Sequence, residues 1–136
     1  MESALYVDSS AFLRATVEAG TSPEVERMIA DSDTLLTSRL ALVESARALS
    51  RLRRLRELSE SRLAQAERDL RALIARCEIW DIDEKVCDLA SHIAPNRNLR
   101  TLDALHLATF LLAQRSIESL KLLTTDDRLR EALETA

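Results

Sequence analysis

Glycine occurs once in this chain of 136 residues and proline twice. Loops that cradle phosphates need several glycines, so that backbone N–H groups can approach the ligand. Neither a GxGxxG fingerprint nor a Walker-type loop is present, which excludes nucleotide cofactors bound in those ways. Aromatic residues are equally sparse: Tyr6, Phe12, Trp80 and Phe110 are the full set. Stacking of unpaired bases needs exposed rings. Three of the four fall in strand or interior-helix patterns, which leaves Phe12, near Asp8, as the ring to watch. The two cysteines, Cys77 and Cys87, have neither metal-knuckle spacing nor the density of a disulfide scaffold, and are expected as buried or half-buried free thiols. No apolar run approaches the ~18 residues of a membrane span. The opening "MESALYVD" carries Glu2 where a secretory signal needs positive charge. A single cytoplasmic domain over 1–136 is expected. The net charge of −4 is unlike that of a protein that coats nucleic acid. Contact with RNA or DNA would therefore use a local basic surface, or metal ions that offset the chain's own acids.

The composition that remains, 46% hydrophobic and 31% charged, is that of a globular domain. Short β-type runs alternate with long helical patterns. Strands are expected at 4–7, 34–37, 78–82 and 120–125. Helices are expected at 9–19 with Ser9 or Ser10 as N-cap, and at 22–32 with Ser22 capping and Pro23 at the first position. Others are expected from 38 to about 56, from about 59 to 76, at 83–93, at 101–115 and after the last strand. A break at "APNRN" (94–98) separates the fifth and sixth helices, and no fifth strand is read after Leu133. Alternating strands and helices indicate an α/β fold, a parallel sheet with helices on both faces. The paired helices over 38–76 form a larger excursion, read as a projecting hairpin.

In open α/β sheets, ligands bind beyond the carboxyl ends of the strands, where strand order reverses. Asp8 follows the first strand and Asp126 the fourth. Each also has a bland explanation, Asp8 in a turn and Asp126 as a helix cap with Asp127 favoured by the dipole. Asp103 sits on the apolar pattern "TLDALHLATFLLAQR" and shares a helical face with His106, Leu107 and Phe110. A carboxylate there must be paired, protonated or coordinating; the alternative is dipole stabilisation in the first turn with Thr101 as cap. Glu44 lies at the edge of an apolar arc, near Ala41 and Ala48, with Arg47 at i+3 as its ordinary partner. Clustered carboxylates raise one another's pKa, and a divalent cation reverses that cost. Mg²⁺ or Mn²⁺ takes oxygen ligands, and such a site suits phosphodiester hydrolysis.

The ordered set "VDSSAFL", "ALVESARAL", "TLDALHLATFL" and "LLTTDDRL" resembles PIN-domain ribonucleases, and within them the VapC toxins of toxin–antitoxin pairs. The resemblance covers nearly the whole chain. It implies a three-layer α/β/α PIN-like fold with strand order 3-2-1-4, to which many relatives add a fifth strand. It implies Asp8, Glu44, Asp103 and Asp126 as acids that bind Mg²⁺ or Mn²⁺. Ser10 matches a small hydroxyl position and Thr124 a hydroxyl that orients the last acid; Asp127, an acid next to the last family position, either adds a ligand through water or caps the helix. The implied activity is endonucleolytic cleavage of tRNA, rRNA or mRNA. The implied partners are a VapB-type antitoxin, whose C-terminal segment lies in a groove and places a basic side chain in the acidic pocket, and a second copy of the chain.

Arg47, Arg51 and Arg54 form one stripe beside Glu44, with Arg53, Arg56 and Arg62 nearby. They read either as a phosphate-tracking surface or as a solvated face paired with Glu57, Glu60 and Glu67. His106 is either a partner of the acids, a phosphate contact, or a satisfied core histidine; His92 is read as structural. A receiver-type phosphoacceptor domain would need an acidic pair after strand one, where this chain has Asp8 followed by serines. A non-catalytic module whose acids receive a basic peptide stays open.

Overall fold

Four short apolar segments set the architecture, seen in a computed structural model that describes residues 2–95 and 97–135. Met1, Asn96 and Ala136 lie outside the described residues, Asn96 being part of the break read at 94–98. The strands β1 (Ala4–Val7), β2 (Thr34–Ser38), β3 (Cys77–Trp80) and β4 (Leu120–Leu123) pair in parallel in the order β3-β2-β1-β4. Parallel pairing needs a crossover between strands. The crossovers are α1 (Ser9–Thr16) with α2 (Pro23–Asp31), α3 (Arg39–Leu55) with α4 (Glu60–Ala75), and α5 (Glu84–Ala90) with α6 (Thr101–Ser116); α7 (Asp127–Thr135) follows β4.

Side chains alternate across a strand, and here both faces are apolar. Leu5, Val7, Leu35 and Leu123 pack with Phe12, Ile29, Leu49, Leu63 and Leu70 from α1 to α4. Ala4, Tyr6, Leu36 and Leu120 pack on the other face with Phe110 and Ala113 of α6. Tyr6 therefore points at α6, and the site depends on that.

The α3–α4 hairpin is anchored through its inner face. Ala41, Leu49, Leu63, Ala66 and Leu70 lie in the core, each buried leucine contributing about 1.5–3 kcal/mol, while Leu55 near the turn is 53% exposed. Ser59 caps α4, its hydroxyl accepting from Arg62 N at 3.2 Å. Scarce glycine leaves a mark at this turn. Arg56 ends α3 with φ 53°, and Ala94 has φ 46°, both in the left-handed region that glycine usually fills.

Two smaller expectations are corrected. Ser22 stands at the N-cap of α2 but makes no side-chain cap bond. Cys87 is exposed rather than buried, whereas Cys77 is half-buried and burial pushes its thiol up to about 11.

Candidate active site

Strand order reverses between β1 and β4, and Asp8 stands at that point. Its backbone N–H donates to Leu123 O at 3.3 Å, extending the β1–β4 ladder by one residue. Asp8, not Ser9 or Ser10, caps α1: Oδ1 accepts from Ala11 N at 3.0 Å and from the Ser10 hydroxyl at 2.7 Å. A carboxylate at the cap satisfies an orphan N–H and meets the positive end of the helix dipole. Oδ2 accepts from the Thr124 hydroxyl at 2.5 Å. Thr124 Oγ1 in turn accepts from Asp126 N at 3.0 Å, and Ser10 Oγ accepts from Thr125 N at 3.0 Å. The two strand ends are thus tied through Ser10 and Thr124.

Asp8 is 4% exposed. Burial raises its carboxyl above the ordinary range, and the bonds from Thr124, Ser10 and Ala11 do not offset that. Asp126 Oδ1 accepts from Arg128 N at 2.9 Å, the helix-capping role read from the sequence. Asp127 is exposed and pairs with Arg130 at 2.9 Å.

Asp103 lies in the first turn of α6, but Thr101 is not its cap. The N-cap is Arg100, with no side-chain cap bond. The Arg100 guanidinium reaches Asp103 at 3.4 Å and Asp126 at 3.9 Å while staying 68% exposed. Sequence reasoning passed over Arg100, although a cation at a helix N-terminus runs against the macrodipole and was the available signal.

Glu44 pairs with His106 rather than Arg47: His106 Nε2 lies 2.5 Å from Glu44 Oε1. The other ring nitrogen, Nδ1, is 2.9 Å from the Tyr6 hydroxyl. His106 is 2% exposed, so it is a partner of the acids and not an RNA contact. Burial first, then the charges of Asp8 and Glu44, push the Tyr6 phenol far above its usual value, and it stays protonated. Tyr6 was read only as core. Phe12 is fully buried and offers no stacking surface.

The four acids are therefore linked, but not in one direct cluster. Asp8 joins Asp126 through Thr124, Asp126 joins Asp103 through Arg100, and Glu44 is held by His106 from the same helix as Asp103. Among the described residues no three His, Cys, Asp or Glu side chains approach closely enough to hold a metal ion together. The donor chemistry nevertheless suits a hard cation. The carboxylates and neighbouring hydroxyls are all oxygen donors, the hydrogen bonds to the buried Asp8 do not fully offset its burial, and a guanidinium stands between Asp103 and Asp126.

A groove of about 1190 Å³ opens beside Glu44 along α3, lined among others by Arg39, Val43, Arg47, Arg51, Arg54 and Leu102. Arg53 is the arginine here that pairs with Glu60 and Glu67. Arg47, Arg51 and Arg54 make no ion pair among the described residues.

The PIN domain family model matches residues 5–133. Ribonuclease VapC46 of Mycobacterium tuberculosis is 36% identical over 133 residues, covering 97% of this chain and 92% of that protein. Ribonuclease VapC45 of the same species is 38% identical over 108 residues, covering 79% and 74%. The fold is shared with the crystal structure of PAE2754 from Pyrobaculum aerophilum, at TM-score 0.67 and 22% identity over 98% of this chain and 85% of that one. It is shared also with VapBC2 from Rickettsia felis, solved bound to a DNA fragment from their promoter, at TM-score 0.59 and 15% identity over 90% and 99%. With its sheet order, its match across almost the full length and its close relatives, the chain belongs to the PIN-domain family, among the VapC ribonucleases.

Proposed function

We propose that the chain is a divalent-metal-dependent endoribonuclease, the toxin of a VapBC-type toxin–antitoxin pair. Asp8, Glu44, Asp103 and Asp126 are assigned as its metal-binding acids and Mg²⁺ or Mn²⁺ as its ion. The carrying observation is the chain of contacts that links Asp8, Asp126 and Asp103 at the β1–β4 switch point through Thr124 and the exposed Arg100 guanidinium, with Glu44 held by His106 from the same helix as Asp103. The relatives VapC46 and VapC45 are named ribonucleases, which supports RNA as substrate.

Each part of the site has a role in this reading. Ser10 and Thr124 fix both oxygens of Asp8, so that its charge has one orientation. Thr124 also holds the backbone of Asp126. A divalent ion bound by these acids supplies neutralising charge at the phosphoryl oxygens and lowers the pKa of attacking water. Arg47, Arg51 and Arg54, free of carboxylate partners among the described residues, lie along the groove beside Glu44 and take the phosphates of the flanking RNA. Arg100 occupies a position that suits a basic side chain from an antitoxin of the VapB type, and homodimerisation belongs to the same reading.

The test is digestion of tRNA, rRNA and mRNA by the purified protein, with Mn²⁺ or Mg²⁺ and with EDTA. Internal cleavage that EDTA abolishes, and that Asp8→Ala and Asp103→Asn lose while remaining folded, is the expected result. Cleavage that survives EDTA, or none with any ion, overturns the assignment. One observation favours a second reading, a non-catalytic module whose pocket receives a basic peptide: Arg100 already sits between two of the acids. That reading predicts peptide binding with no cleavage.

A further inference from the structure

A buried hydroxyl that no chemistry required would be replaced by a phenylalanine at little loss, because Tyr6 packs edge-on against Phe110 at 5.9 Å like any core ring. The hydroxyl instead meets His106 Nδ1 at 2.9 Å, and the opposite nitrogen meets Glu44 Oε1 at 2.5 Å. With the ring neutral, one tautomer satisfies both contacts. The phenol O–H donates to Nδ1, and Nε2–H donates to the carboxylate, which can only accept. The three groups come from β1, α6 and α3, so the line Tyr6–His106–Glu44 crosses from the sheet to the hairpin through the core. At its outer end the Glu44 side chain is 24% exposed and lines the groove. Its other oxygen, Oε2, carries no hydrogen bond among the described residues.

We infer that His106, held by the buried Tyr6 hydroxyl, is a positioning residue that fixes Glu44 with Oε1 tied back to the core and leaves Oε2 free to take an ion. The inference rests on the nuclease reading. Glu44 differs from Asp8, which has two hydroxyls and a backbone N–H to hold it. It stands on α3, which follows β2, at the end of a flexible side chain. One bond from a rigid buried ring limits its rotamers before any ion or RNA arrives. Partners that orient a metal-binding group in this way typically matter by about 10–100-fold in metal affinity or activity when removed.

The experiment measures Mn²⁺ affinity by titration calorimetry, together with kcat and KM for RNA cleavage, in wild type, His106→Ala, His106→Gln, Tyr6→Phe, Glu44→Ala and the His106→Ala/Glu44→Ala double variant. His106→Ala is expected to weaken Mn²⁺ binding by about 10–100-fold and to lower kcat while leaving KM for RNA within about twofold. His106→Gln, whose amide can still donate to Glu44, recovers most of the loss, and Tyr6→Phe falls between. In the Glu44→Ala background the His106→Ala change has no further effect on Mn²⁺ affinity, because its influence passes through Glu44. If His106→Ala does not fold, Tyr6→Phe and His106→Gln carry the comparison. A ¹⁵N NMR spectrum of the metal-free protein adds a readout independent of activity: a proton is expected on Nε2, and a proton on Nδ1 alone overturns the bond that positions Glu44. Wild-type Mn²⁺ affinity retained in folded His106→Ala, or losses that add in the double variant, overturn the positioning role alone. A wild-type protein that binds no Mn²⁺ overturns the nuclease reading and this inference with it.

Discussion

Asp8→Asn should make the metal-free protein more stable while destroying its site. The Asp8 carboxyl is 4% exposed and its folded pKa is raised by burial. In the interval between the ordinary carboxylate value and that raised value, the folded state holds a proton that the unfolded state has released. Stability therefore falls as pH rises through the interval, by about 1.4 kcal/mol per pH unit, and levels off above it. Asparagine never ionises and lacks this loss. It keeps the acceptor for Ala11 N and the Ser10 hydroxyl, but it surrenders the charged acceptor of the Thr124 hydroxyl, a bond worth about 1.5–3 kcal/mol. The desolvation of a buried carboxylate is several kcal/mol, so a net gain of about 1–2 kcal/mol is left, the usual size when a functional site is relaxed. That raises Tm by about 3–8 °C for a chain of this length. Thermal unfolding in EDTA at pH 8 and again near pH 4 measures it. The variant leads at pH 8, and the gap closes at low pH, where wild-type Asp8 is protonated as well. At Mn²⁺ concentrations of 100 times Kd, wild type gains about 2.7 kcal/mol by linkage and the variant does not. An Asp8→Asn protein less stable than wild type at pH 8, or a gap that ignores pH, refutes the reasoning.

Arg100→Ala removes an exposed cation from between Asp103 and Asp126. Such pairs contribute about 0–1 kcal/mol, so Tm stays within a few degrees and Mn²⁺ binding, by calorimetry, tightens by up to about fivefold. Replacing Arg47, Arg51 and Arg54 together with alanine should weaken RNA binding and lower the slope of log affinity against log salt by about 2, with Mn²⁺ affinity unchanged; fluorescence anisotropy across a salt series reads both. Arg56→Gly at φ 53° relieves a left-handed arginine and should stabilise the protein by about 1 kcal/mol in urea unfolding. Leu63→Ala, fully buried where α4 meets the core, should destabilise it by about 2–5 kcal/mol in the same assay.

The strands were readable because each is a short apolar run followed by a polar or capping residue, and parallel pairing follows from long helical crossovers; the order 3-2-1-4 rested on the resemblance to PIN domains. Asp8, Asp126 and Asp103 were visible as acids at strand ends or on an apolar helix. Their partners were harder to read. Ser9 and Ser10 looked like the cap of α1 because they directly precede its apolar pattern, yet aspartate caps as well as serine, and the carboxylate of Asp8 had the extended backbone and the reach to Ala11 N. Glu44 seemed matched to Arg47 because helical neighbours are the contacts a sequence displays. Its actual partner, His106, lies 62 residues away and is brought near only by packing α6 and α3 around β1. Tyr6 was legible as core, but its hydroxyl has meaning only once the opposite helix is in place. The arginine stripe was ambiguous for a similar reason: which arginine finds a glutamate is decided by how α4 folds back on α3, and Arg53 took the pairs.

The central claim is that the acids at the switch point bind divalent metal once Arg100 yields. Crystals grown with Mn²⁺ and measured at the manganese absorption edge test it most directly. The account predicts an anomalous peak in contact with the Asp8, Asp103 and Asp126 carboxylates, with Glu44 turned toward it and the Arg100 guanidinium displaced. No peak at that edge of the sheet, with Arg100 still between Asp103 and Asp126 at saturating Mn²⁺, would contradict it.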